Sequence, residues 1–185
     1  SEMVNVGDDV SVGRSKGGLV GRRGLTGAAF TAKVLGAASE KGDDVQKIAH
    51  LGRTMVKNFV TVGSSLDHCH VPGRSTDPKE RGALSQSAVE IGMGIHNEPG
   101  AKHIENKPSG EDLIKEMLEL LLREDDPERS FVKFNKDDDP VLIINNLGGM
   151  SSIELGAIAA EARTQIERDW NLRLSRVCLL YTSDA

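Results

Sequence analysis

An α/β fold, with mixed sheets flanked by helices, is predicted by three features of the sequence. The run Val141-Leu142-Ile143-Ile144-Asn145-Asn146 is continuous and aliphatic, as a strand covered on both faces is. Leu147-Gly148-Gly149-Met150 follows as a turn, and Ser151 with Glu154 then places a cap and its box partner at a helix start. Elsewhere apolar residues recur at helical spacing, whereas Val89 to Gly94 alternates as a strand does.

The totals fit that class. A chain of 185 residues is long enough to bury a core, and 38% hydrophobic with 28% charged residues is ordinary for a globular protein. Aromatic residues make up only 3%, so the core must be aliphatic. Net charge is -5 with no basic stripe interleaved with aromatics, which argues against a nucleic-acid partner. No apolar run nears the roughly 18 residues of a membrane span, and SEMVNVGDDV lacks the pattern of a signal peptide, so a cytoplasmic setting without membrane attachment is expected. Cys69 and Cys178 are too far apart for a disulfide framework of the secreted kind, and reduced thiols fit the same compartment.

Taken in order, Met3 to Val6 reads as a strand end and Gly7-Asp8-Asp9 as a turn. A glycine-rich basic loop, VGRSKGGLVGRRGLTG, leads to a helix from about Leu25 to Lys41 with Leu25, Ala28, Ala29, Ala32 and Leu35 on one face and Gly42 just past its end. Asp43 is placed to cap a second helix, whose stripe is Val45, Ile48, Ala49, Met55 and Val56 and whose small Ala49 and Gly52 suit close packing. FVTVGSS and LDHCHV have strand character, with a turn at Val71 to Arg74 and a polar surface loop from Arg74 to Ala88. Ser109 and Asp112 resemble a capping box ahead of Leu113, Met117, Leu120 and Leu121, a helix that should end near Arg123. After the helix that starts at Ser151 and runs to about Arg168, Leu172 to Val177 supplies a further strand.

Chemistry concentrates at GMGIHNEPG, residues 92–100. Gly92 and Gly94 leave space beside the backbone, which suits a bulge or a ligand's close approach. Pro99 stiffens the loop after His96, and Gly100 is free to take positive φ. With an ordinary pKa of about 6.5 the imidazole is largely neutral at pH 7, and a neutral ring nitrogen is both a base and a nucleophile towards an electrophilic carbon. A histidine that only hydrogen-bonds within a turn is the plainer alternative. His68-Cys69-His70 contains zinc-preferred ligands, but on a strand Cys69 faces away from the two histidines, and a metal-dependent hydrolase built on His68 and His70 needs a third ligand such as His103. Asn145 to Gly149 offers backbone N–H groups to an anion, although a tight capped turn explains it as well. Arg14, Lys16, Arg22 and Arg23 would suit a phosphate or a solvated loop, and the acidic runs 124–126 and 137–139 read as solvated turns.

Taken together, VGRRGLTG, VGSSLDHCHVPGR, EIGMGIHNEPG and IINNLGG, in that order, resemble the substrate-binding (K) domain of the dihydroxyacetone kinases from Val4 to about Val177. SSLDHCHVPGR and RSFVKFNKDDDPVLIINNLGG are more similar to the single-chain, ATP-dependent fungal enzymes than to bacterial phosphotransferase-coupled subunits. The resemblance implies the C-terminal part of a two-lobed K domain: residues 1–60 ending the first lobe, 61–177 forming the second, and 178–185 a non-native tail. It also implies that His96 is the catalytic and substrate-binding residue, its distal nitrogen adding to dihydroxyacetone to give a hemiaminal. ATP and Mg2+ are expected on a separate helical domain of the same enzyme, and a homodimer is expected. The family's Gly-Ser-Gly-His loop and its lysine and aspartate contacts have no counterpart here, so the chain is expected to be a fragment inactive alone. The alternative within the family is a substrate-binding subunit or coregulator of a phosphotransferase-coupled system with no ATP site of its own.

Overall fold

The computed structural model describes residues 1–16, 21–67, 73, 84–85, 87–94 and 98–181, and these form two compact units. The first comprises Ser1–Lys107 and Glu124–Val132, the second Pro108–Arg123 and Lys133–Ala185.

In the first unit, helix α1 (Thr26–Glu40) and helix α2 (Val45–Met55) precede three short strands, β1 (Ser64–Ser65), β2 (Val89–Ile91) and β3 (Lys102–Ile104). The strands form one antiparallel sheet in the order β1-β2-β3, with Ser64 opposite Ile91 and Glu90 opposite His103. The central strand β2 is buried at all three of its residues. FVTVGSS contributes less strand than its composition suggests. Within it β1 is two residues long, and Thr61 makes an isolated parallel bridge with Asp9. That bridge consists of Val10 N–H donating to Thr61 O at 2.9 Å and Thr61 N–H donating to Asp8 O at 2.8 Å. Residue 60 therefore falls inside this unit. Of LDHCHV, residues 68–71 lie outside the described residues, as does most of 74–88.

Helix α1 buries a different face from the expected one. Gly27, Thr31 and Ala38 are buried, whereas Ala29 and Ala32 are exposed. Alanines carry little amphipathic signal, and close approach decides the face: a Cβ at Gly27 would overlap the Phe59 ring and come within 2.7 Å of the Asp8 carboxyl. The helix ends in a Schellman motif, with Gly42 at φ +84, its N–H donating to Ser39 O and the Asp43 N–H to Ala38 O. Asp44, not Asp43, caps α2, its carboxylate accepting from the Gln46 and Lys47 N–H groups at 2.9 Å each. Asp43 pairs with the Lys47 ammonium instead. Ala49 and Gly52 are the buried residues of α2, and a Cβ at Gly52 would lie 2.9 Å from a Val4 methyl and 3.0 Å from one of Leu35, so the expected close packing is present.

The second unit contains helix α3 (Gly110–Leu122), strand β4 (Val141–Asn146), helix α4 (Ser152–Asp169) and strand β5 (Arg176–Tyr181). Strands β4 and β5 pair in parallel from Val141↔Arg176 to Asn146↔Tyr181, and α4 is the crossover that parallel pairing requires. The Ser151–Glu154 capping box forms in full. At α3 only half of one forms: Ser109 Oγ accepts the Asp112 N–H, and the shorter aspartate carboxylate takes the Ser109 hydroxyl rather than reaching the backbone.

The core joins Ile114 and Leu118 of α3 to Ala162 and Ile166 of α4 and to Leu172, with Phe134, Leu142 and Trp170 around them. Its centre is one residue away from the expected Leu113, Met117 and Leu120, because the run Leu120-Leu121-Leu122 makes the stripe too broad for spacing to choose its middle. Two further expectations shift. Within β4 only Asn146 is fully buried, so the strand is not covered throughout on both faces. The strand placed at Leu172–Val177 begins at Arg176, since Leu172 is drawn into the core and Asn171, at φ 52, ends the helix. Cys178 to Tyr181 thus form the greater part of β5. Among the described residues no helix is long and apolar enough to cross a membrane.

Truncating the centre of the α3 stripe should cost far more than truncating its flank. Leu118→Ala is expected to lower stability by about 2–5 kcal/mol, the usual range for a buried leucine, and Leu113→Ala by less than half as much in the same urea titration. Equal losses would contradict the assigned centre.

Candidate functional site

Because β2 and β3 are antiparallel neighbours, residues 92–101 form the connection between them. GMGIHNEPG is therefore a hairpin loop. Ile95, His96 and Asn97 lie outside the described residues, while the groups that hold the loop on both sides are described.

On the entering side, Gly92 ends β2 at φ +80, a conformation that costs glycine nothing and a residue with a Cβ about 1–2 kcal/mol. The strand therefore stops at Ile91 and not at Gly94. Gly92 N–H donates to Gly63 O at 2.7 Å, and Gly92 O accepts from Arg23 Nη2 at 2.7 Å. A Cβ at Gly92 would overlap Ser11, and one at Gly94 would overlap the Glu98 carboxylate and Arg23 Nη1. The space beside these glycines, read from sequence as suiting a bulge or a ligand's approach, is occupied by the chain's own side chains. On the leaving side, Gly94 N–H donates to Glu98 O at 3.1 Å and Ala101 N–H to Ile91 O at 2.9 Å. The buried Glu90 accepts the Gly100 N–H at 2.6 Å. Gly100 does not adopt the expected positive φ; a Cβ there would lie 2.5 Å from Ile91 O, so its small size is what the site needs.

Behind the loop is a buried ionic network. Asp9 is 0% exposed, and its carboxylate accepts from Ser11 N–H at 2.9 Å, Ser11 Oγ at 2.5 Å and Arg23 Nε at 2.7 Å. Arg23 Nη2 lies 2.6 Å from the same carboxylate and donates to Ser11 Oγ at 2.7 Å as well as to Gly92 O. Four close donor contacts offset the cost of removing the carboxylate from water. Asp8, 1% exposed, does different work: it accepts from the Leu25 and Gly27 N–H groups at 2.9 and 2.8 Å. Leu25 has no capping side chain, so the negative charge at the start of α1 is supplied from Asp8. Sequence reading missed both aspartates as functional elements, because apart from Ser11 their partners stand 14 to 19 positions away, and RRG in the basic loop was the only local signal.

Arg14 and Arg22 are engaged too. Arg14 donates to Pro127 O at 3.0 Å and Ser130 O at 2.9 Å and stacks 4.2 Å from the Phe131 ring centre, and Arg22 lies 3.4 Å from that centre. Burial, then the charge of Arg14, lowers the Arg22 pKa against the pull of Asp8 and Asp9. Glu128 accepts the Ser15 amide and hydroxyl, bonds that hold its carboxyl below the ordinary range. Arg14, Arg22 and Arg23 thus fasten the loop to its own unit.

The turn 145–149 satisfies itself. Asn146 donates to Met150 O and accepts the Gly148 N–H, both at 2.9 Å, while Ser151 and Glu154 cap the helix behind it. His68, Cys69 and His70 lie outside the described residues. His103 is exposed on β3 with its Nε2 3.2 Å from Glu105, and among the described residues no three His, Cys, Asp or Glu side chains are grouped to hold a metal ion.

The Dak1 domain profile matches residues 1–183. Dihydroxyacetone kinase 1 of Saccharomyces cerevisiae is 45% identical over 171 residues, covering 90% of this chain and 29% of that protein. The dihydroxyacetone kinase of C. freundii, solved with AMP-PNP and Mg2+, shares the fold with a TM-score of 0.69 at 23% identity, over 97% of this chain and 30% of that one. The dihydroxyacetone kinase operon co-activator DhaQ does so with a TM-score of 0.71 at 22% identity, over 95% and 50%. The chain spans under a third of the length of the yeast kinase.

Removing one partner of the buried pair should be severe. Asp9→Ala is expected to cost about 3–5 kcal/mol, since it leaves the largely buried Arg23 charge without its partner. Asp44→Ala, which removes only a surface helix cap, should cost about 1 kcal/mol. Guanidinium unfolding of the two variants measures the difference, and similar midpoints would contradict the assigned weight of the network.

Proposed function

The chain belongs to the Dak1 domain family, and from that premise we propose that it is the dihydroxyacetone-binding part of an ATP-dependent dihydroxyacetone kinase, with His96 holding the substrate covalently. The observation that carries this reading is the GMGIHNEPG loop itself: a short hairpin connection, fastened on both sides by buried groups, that contains one histidine.

In the proposed step the distal ring nitrogen of neutral His96 adds to the central carbon of dihydroxyacetone. The π pair moves onto oxygen, which takes up a proton, and the ring gives up the proton of its other nitrogen. No group leaves, so the product is a neutral hemiaminal and the addition is reversible. Glycerol, with the same hydroxyls and no carbonyl, cannot form it, so selectivity comes from bond formation rather than from hydroxyl contacts. The bond anchors the ketone and leaves a terminal hydroxyl for phosphoryl transfer, in which orientation is the main contribution of the protein.

ATP and Mg2+ are proposed to bind a separate helical domain of the same enzyme, as the resemblance to the single-chain kinases implies. The competing reading, a subunit or coregulator without an ATP site, is favoured by fold likeness alone, whereas 45% identity to a yeast kinase favours the kinase.

The test uses dihydroxyacetone labelled with carbon-13 at the ketone and the full chain. Wild-type protein should convert the carbonyl resonance to that of a tetrahedral carbon in slow exchange, and His96→Ala should abolish the new signal and weaken binding by at least about tenfold, the worth of ~1.4 kcal/mol. An undiminished signal in His96→Ala would overturn the assignment.

A further inference from the structure

Arg22 holds its guanidinium against the Phe131 ring, 3.4 Å from the ring centre, and its Nη1 is buried with no acceptor among the described residues. A buried donor left in that condition is costly. The carboxylates close enough to attract Arg22 are Asp8 and Asp9, and their oxygens are directed elsewhere: Asp8 accepts the Leu25 and Gly27 amides, Asp9 the groups of Ser11 and Arg23. Glu128, the acid bonded to the start of the loop, is taken up by Ser15. Arg14 stacks on the same ring and gives its two terminal nitrogens to the neutral carbonyls of Pro127 and Ser130, which leave its charge uncancelled. Lys16, two positions on, is exposed and has no ion pair among the described residues.

We propose that Arg22, supported by Arg14 and Lys16, binds a phosphate dianion, either free or carried on a small ester. Two guanidinium charges and an ammonium without bonded counter-charges match a doubly negative ion better than a single carboxylate. The planar fork of Arg22 suits two oxygens of one phosphate, and the stack on Phe131 holds that plane while leaving the N–H groups to point past the ring. Arg22 is only partly buried, so an ion reaches it from solvent, and an oxygen meeting the fork gives the orphaned donor its acceptor. The electrostatics agree: burial, then the charge of Arg14, lowers the Arg22 pKa against the pull of Asp8 and Asp9, so a further negative charge at this place is favoured.

Titration of the full chain with inorganic phosphate and, separately, with glycerol 3-phosphate tests the site, at an ionic strength kept constant with chloride. The Arg22 side-chain Nε–H resonance, identified by its loss in Arg22→Gln, should shift saturably with phosphate and not with chloride. Arg22→Gln should weaken binding by about tenfold or more, as loss of a charge-assisted fork predicts. Lys16→Gln, at an exposed position where folding is not at stake, should weaken it about threefold. Arg53→Gln, whose charge is paired with Glu2 on another surface, should bind as wild type does. Tighter binding of the ester assigns the site to a phosphorylated small molecule, equal binding assigns it to the free ion, and both support it. An Nε–H shift no larger with phosphate than with chloride would overturn the proposal, as would undiminished affinity in folded Arg22→Gln. Should Arg22→Gln lose its cooperative thermal transition, wild-type affinity in Lys16→Gln would overturn it instead.

Discussion

Asp9 has no contact with solvent, and its charge is tolerated there because Arg23 and Ser11 surround it with donors. Breaking such a cluster on one side leaves a charge with neither water nor a partner, so the members are retained or lost together. Through it the chain's first bridge, between Asp9 and Thr61, is linked to the end of β2, because Arg23 bonds Asp9 and the Gly92 carbonyl at once. The neighbouring Asp8 starts α1 from the same place, so a single pair of carboxylates sets both a helix and a loop.

The glycines of the loop acquire meaning from this network. Gly92 is needed for its positive φ and for the room Ser11 takes, Gly94 for the room taken by Arg23 and Glu98, and Gly100 for its approach to Ile91 O. The glycines are thus sites of close contact that the chain fills itself.

The second unit obeys simpler rules. A parallel strand pair, a crossover helix with a complete capping box and an aliphatic core from α3 and α4 are each explained by local pattern and by area removed from water. In the first unit, by contrast, irregular backbone is held by buried polar bonds.

How much could be read beforehand follows the range of each interaction. The capping box at Ser151, the strand at Val141–Asn146, the stop at Gly42 and the close packing at Gly52 depend on residues within a few positions or on size alone, and the sequence by itself determined them. It also determined that His96 lies in a glycine- and proline-rich connection following a strand. The inward face of α1, the centre of the α3 stripe and the start of β5 were decided only by tertiary structure, because alanine-rich or leucine-rich periodicity admits more than one solution until a neighbour is packed against it. The roles of Asp8, Asp9, Ser11 and Arg23 belong to the same class: a buried ion pair has no periodicity, and its partners are neighbours only after the chain has folded.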